Sequence, residues 1–203
     1  MQHLGPPDSA ILENRFSSEA VMTNSAPGFL ADLSPGDRTA ALALACVPPG
    51  THHGETRGLY ERLSNLQCWD AMLLCAWMAK GIHSSAIEEA RDAKALGILE
   101  NQDFGRVFGP GAKRVNSAWE LVLVPKGAMV GFVHNKTRNL RHAMIHVGRG
   151  WGCGNKNDCI LRSGHTIGWE KLDMQAFFGA DARFNGNDMT SMFVVPVTGQ
   201  TIS

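Results

Sequence analysis

From Leu66 to Gly81 the chain reads LQCWDAMLLCAWMAKG, and only Gln67, Asp70 and Lys80 in it are strongly polar. A helix of that composition has no broad face left for water, so the fold must surround it with protein. Ser64 and Asn65 are of the types that start helices, Asp70 in the opening turns complements the dipole, and Gly81 supplies the left-handed residue that ends the segment. This places Cys68 at the positive end of a buried helix. There the N–H groups of the first turn and the macrodipole favour thiolate, the reactive form of cysteine. The competing expectation is structural: free cysteine packs as a small hydrophobe, and Cys75, further into the helix, fits only that description.

The 203 residues are 44% hydrophobic, enough for one full core. Residues 1–58 read as an irregular leader with one short helix, and 59–203 as the organised domain. In the leader, Gly5-Pro6-Pro7, Ser25-Ala26-Pro27-Gly28 and Ser34-Pro35-Gly36 follow one another too closely for long elements. Only Thr39 to Cys46 has room for a pair of helical turns before Val47-Pro48-Pro49-Gly50. Nineteen Lys plus Arg balance nineteen Asp plus Glu, so no electrostatic signal points to nucleic acid or an anionic membrane. The five cysteines (46, 68, 75, 153 and 159) are odd in number and irregularly spaced, and no signal-peptide pattern opens the chain. Synthesis and folding with reduced thiols in a bacterial cytoplasm are expected. No apolar run is long enough to span a bilayer.

Beyond the central helix, Ser85-Ala86-Ile87-Glu88 has the form of a capping box, which predicts a second helix over 85–99. Residues 101–117 read as loop. The period then changes: Trp119 to Val124, Ala128 to His134, Ala143 to Val147, Cys159 to Leu161 and Met192 to Val197 predict short strands, with a short helix within Trp169 to Phe178. Helices first and strands afterwards predict an α+β domain in which an antiparallel sheet packs on the helices.

A cysteine at the start of a buried helix, then Pro125-Lys126-Gly127-Ala128-Met129-Val130-Gly131-Phe132, then His142-Ala143-Met144-Ile145-His146-Val147-Gly148, resembles the papain-like hydrolases of the bacterial NlpC type. The resemblance covers roughly 66–160. It implies a papain-like fold, with Cys68 as nucleophile, His142 as the histidine at the head of the second strand, and a third polar residue about a dozen positions on. Asn155 is the preferred third residue and Asn157 the alternative. Where family members carry Asp-Cys-Ser-Gly, this chain has Gln67-Cys68-Trp69-Asp70, closer to divergent secreted toxins and effectors on the same fold. Tyr60, the only tyrosine, is a candidate for the family's oxyanion-side tyrosine, at a shorter spacing than usual.

The expected activity is therefore a cysteine hydrolase of amide bonds, secreted without a signal peptide and cleaving cell-wall peptide. The alternatives are a glutamine or asparagine deamidase, or acyl-transfer enzyme, acting on a host protein, and a non-catalytic binding module. The expected partners are a peptide or protein substrate and an immunity or secretion-system protein, with no nucleic acid and no membrane span. No cofactor and no metal are expected. Cys153, Cys159, His142, His146 and His165 cluster in sequence, but the five residues between the two cysteines exceed the usual spacing of a structural zinc pair. Those cysteines can instead pair after export. His146 shares a strand face with His142 and is expected to pack rather than react.

Overall fold

In the computed structural model, residues 30–47, 55–83, 111–137, 139–157, 168–179 and 190–201 are described. Among the described residues three helices come first: α1 (Pro35–Ala45), α2 (Glu55–Asn65) and α3 (Cys68–Met78). The elements that follow are β1 (Ile82–His83), β2 (Lys113–Val115), α4 (Ala118–Val122), β3 (Met129–His134), β4 (Leu140–Gly148), β5 (Trp151–Asn155) and β6 (Trp169–Asp173). A 3-10 helix (Met174–Phe178), β7 (Thr190–Val195) and β8 (Gln200–Thr201) complete the set. Six strands form one antiparallel sheet in the order β2-β7-β3-β4-β5-β6, and β1 pairs with β8 in parallel. The expected α+β class, helices with an antiparallel sheet, is what the chain adopts.

Because side chains alternate along a strand, each strand of this sheet serves two cores. Met129, Ala143, Ile145, Val147, Cys153 and Trp169 face the three helices, with Leu42, Leu63, Met72, Leu73 and Leu74 in the same cluster. Val130, Phe132, Met144, Met192 and Val194 face the other way, against Leu121 of α4 and Met174 and Phe177 of the 3-10 helix. With both faces covered, β3 and β4 are buried along nearly their whole length rather than at alternate residues. Each large side chain sealed in this way contributes about 1.5–3 kcal/mol.

Part of the leader belongs to this core. Ser34 caps α1 by accepting the Asp37 N–H at 3.1 Å, and Pro35 opens the helix where its missing N–H costs nothing. Leu30, Leu42 and Ala43 are fully buried, and the Trp169 indole N–H donates to the Ala43 carbonyl at 2.9 Å. Arg38 donates to the Ala79 and Lys80 carbonyls, placing a cation at the negative end of α3. Gly127 of the Pro-Lys-Gly motif has φ +79°, and a Cβ there would collide with the Gly36 backbone at the head of α1. The short helix expected in the leader is thus α1, packed into the same core as α2 and α3.

Other elements differ from expectation. Trp119 to Val124 is not a strand: Ser117 caps α4 by accepting the Glu120 N–H, and Glu120 reaches back to the Asn116 N–H at 2.9 Å. This local S-x-x-E cap outweighs the β-prone composition. Trp169 to Phe178 divides into a strand and a 3-10 helix, with Asp173 capping the latter. Strand β2 falls within the stretch expected to be loop, and β5 where no strand was expected. The expected helix over 85–99 and strand over 159–161 lie outside the described residues.

Candidate active site

Cys68 is the first residue of α3, and Gln67 at the N-cap makes no side-chain capping bond. The thiol is half-buried, whereas Cys46, Cys75 and Cys153 are free and fully buried. Burial pushes the Cys46 thiol up to about 12 and raises Cys75 and Cys153 well above the ordinary thiol range. These three are protonated packing residues at neutral pH. Cys153 is a free thiol, and Cys159, its expected partner after export, lies outside the described residues.

His142 occupies the third position of β4 directly across from Phe132, with ring centroids 5.9 Å apart. It is 0% exposed. Its Nε2–H donates to Asn157 Oδ1 at 2.8 Å. The orientation of that amide is determined by its other end, because Nδ2 donates to the Gly154 carbonyl at 3.0 Å and to Glu170 Oε1 at 3.1 Å, both pure acceptors. Proton placement on His142 follows: with Nε2 donating, Nδ1 of the neutral ring is the acceptor. Gly154 makes the contact possible, since a Cβ there would lie 2.9 Å from both Asn157 Oδ1 and Met144 Cγ.

Asn155 does something different. Its side chain points to the helical face, where Nδ2 donates to the carbonyls of Leu63, Ser64 and Leu66, and Oδ1 accepts the Gly168 N–H at 3.1 Å. The amide partner of His142 is thus Asn157, not the preferred Asn155. Strand alternation is the reason: Asn155 shares the parity of Cys153 on the helical side, and only beyond the end of β5 does the chain turn far enough for Asn157 to reach the other side.

Cys68 and His142 lie at the same end of the sheet, because Asn155 ties the residues leading into α3 to the end of β5 that lies beside the start of β4. They belong to different faces. α3 packs with Ala143 and Ile145, while the imidazole points with Phe132 and Met144 into the opposite core. His146 also packs: Nδ1–H donates to the Pro125 carbonyl at 3.1 Å and Nε2 accepts the Gly150 N–H at 3.2 Å, joining the Pro-Lys-Gly turn to the β4–β5 turn. Burial lowers its pKa. Tyr60 is half-buried against the helical core, its hydroxyl beside Gly168.

Glu170 and Gly154 were not singled out in the sequence. A lone Glu within a short strand carries no signal, whereas the Gly-Asn-Lys-Asn run marked a turn without revealing that it supports a histidine. Among the described residues no three His, Cys, Asp or Glu side chains form a set that could hold a metal ion, and no helix is long and apolar enough to cross a membrane. His165 lies outside them. No family model, no curated protein and no solved structure matches this chain.

Proposed function

We propose that this chain is a cysteine hydrolase of amide bonds on a papain-like fold of the NlpC type, with Cys68 as nucleophile, His142 as its base and Asn157 as the group that orients the ring. The observation that carries the reading is the 2.8 Å bond from His142 Nε2 to Asn157 Oδ1, at the end of the sheet where α3 begins with Cys68. That bond commits one ring nitrogen as donor and makes Nδ1 the basic nitrogen that takes the thiol proton, the division of labour a Cys-His-Asn site requires.

In this reaction the thiolate adds to the substrate carbonyl carbon, and the oxyanion is held by the N–H of Cys68 at its helix start. The C–N bond breaks as His142 returns its proton to the leaving amine. Water, deprotonated by the same ring, then releases the acid and restores the thiol. His142 must turn from the Phe132 side over the end of β4 to meet Cys68.

The proposed substrate is the peptide stem of the bacterial cell wall, reached after export by a specialised secretion system, with an immunity protein or secretion component as partner. Deamidation of a host-protein glutamine or asparagine uses the same chemistry with ammonia as leaving group. A second reading, a binding module with an inert cysteine, is favoured by the complete burial of His142 on the face away from α3.

The test is purified protein on isolated wall fragments, read by mass spectrometry, with Cys68→Ala and His142→Ala alongside. Stem cleavage by the parent alone supports the hydrolase. Intact fragments together with an amide-to-acid mass change in a eukaryotic target replace it with the deamidase. Inertness in both assays with an unreactive Cys68 leaves the binding module.

A further inference from the structure

α2 ends at Asn65 and α3 begins at Cys68, so the chain turns sharply within two residues. The carbonyls in the last turn of a helix have no partner within it, and those of Leu63 and Ser64 belong to that group. Their partner comes from the sheet. Asn155, fully buried at the end of β5, directs Nδ2 to the Leu63 carbonyl at 2.9 Å, the Ser64 carbonyl at 3.0 Å and the Leu66 carbonyl, two residues before the thiol. Its Oδ1 accepts the Gly168 N–H, and the Trp169 N–H donates to Ser64 Oγ at 3.0 Å, so β5 and β6 grip one corner together.

We infer that Asn155 is a positioning residue for Cys68: a cap supplied from the sheet that fixes the α2–α3 corner and, through it, the place and environment of the thiol. The inference rests on the reading of Cys68 as nucleophile. An amide suits this corner because it presents donors to three carbonyls while its oxygen takes the facing N–H. A carboxylate has the same shape but would oppose oxygen to oxygen. A small displacement of a nucleophile is costly, since about 1 Å can remove on the order of 10²-fold in rate. No contact between Asn155 and the substrate is required.

The experiment is the pH dependence of Cys68 alkylation by iodoacetamide in the intact chain, measured beside urea unfolding, for the parent, Asn155→Asp, Asn155→Ala and Trp169→Phe. Trp169→Phe removes the indole bond to Ala43 and weakens the same core while keeping the backbone N–H that donates to Ser64 Oγ. In the parent the rate should rise through a pH below that of free cysteine. In both Asn155 variants the whole profile should move to higher pH, so that the rate at neutral pH falls about tenfold for every pH unit the midpoint rises. Trp169→Phe should keep the parent profile. If the Asn155 variants do not fold, Ser64→Ala, which removes only the Trp169 N–H acceptor, should move the profile in the same direction by a smaller amount. Asn155 variants, or Ser64→Ala in their place, that unfold more easily yet retain the parent profile overturn the inference while leaving Cys68 as nucleophile. A parent thiol no more reactive than one in urea-unfolded chain fails the underlying reading instead.

Discussion

The two faces of the six-stranded sheet solve the same problem with different materials. On the helical face, three helices bury leucines, alanines and three inert thiols, and its principal buried polar side chain, Asn155, is satisfied by backbone groups of the α2–α3 corner and Gly168. On the other face, methionines and phenylalanines from strands and the 3-10 helix pack with Leu121 of α4, and His142, against Phe132, has a side-chain partner, Asn157, held in turn by Glu170. The first arrangement is bonded to backbone groups, and the second to side chains at a sheet end. The proposed nucleophile and base thus lie on opposite faces of one edge, and the proposed reaction depends on their meeting there.

The largest expected effect is on activity. Cys68→Ala or His142→Ala should each lower amide cleavage by at least about 10³-fold, since members of one nucleophile–base unit fail together. Equal loss in the double variant would show that the two act as a unit across the edge. Additive losses would break the link between the faces.

Next comes the packing of the histidine's face. Phe132→Ala removes the ring that packs on both His142 and Phe177, and should cost about 3–5 kcal/mol in urea unfolding. A cost below about 1 kcal/mol would mean that this face is loosely packed.

Asn155→Ala and Asn157→Ala then divide the faces by kind of effect. The first leaves the corner carbonyls and the Gly168 N–H without their partner and should cost about 2–4 kcal/mol of stability. The second should lower turnover more than stability, by about 10²-fold or more, because the ring loses its orienting acceptor. Turnover lost in Asn155→Ala with the Cys68 alkylation profile unchanged would return Asn155 to the catalytic role expected from the family spacing.

The smallest effect is the pH dependence of His146. Its pKa is lowered by burial, so the folded state holds the ring neutral while the unfolded chain protonates at the ordinary histidine value. The stability it supports is complete above that value and is lost as the pH falls below it toward the folded pKa, when Nε2 can no longer accept the Gly150 N–H. Urea midpoints from pH 7.5 down to 5, each approximate limits of the titration window, should fall more for the parent than for His146→Gln.

The sequence revealed those features whose cause is local. The apolar stretch around Cys68 required a buried helix, and Ala128 to His134 and Ala143 to Val147 read as strands, as they are in β3 and β4. A single apolar run does not say which face of a two-sided sheet each residue takes, so the sidedness of His142 was hidden. The choice between Asn155 and Asn157 turned on one step of register at a strand end, which spacing does not resolve. Within residues 30–47 the short helix expected over 39–46 is α1, but its place in the core was hidden, because the Ala43 carbonyl finds its partner more than a hundred residues on in the Trp169 indole.

The most direct test of the central claim is the pH–rate profile of Cys68 alkylation in the parent and in His142→Ala. If the thiol and the imidazole meet at the sheet end, the parent profile should rise through a pH well below that of an ordinary thiol, and the variant should return to the ordinary value because the charge that held the thiolate is gone. Superimposable profiles for the two proteins would contradict the account and leave His142 as a packing residue of the face on which it lies.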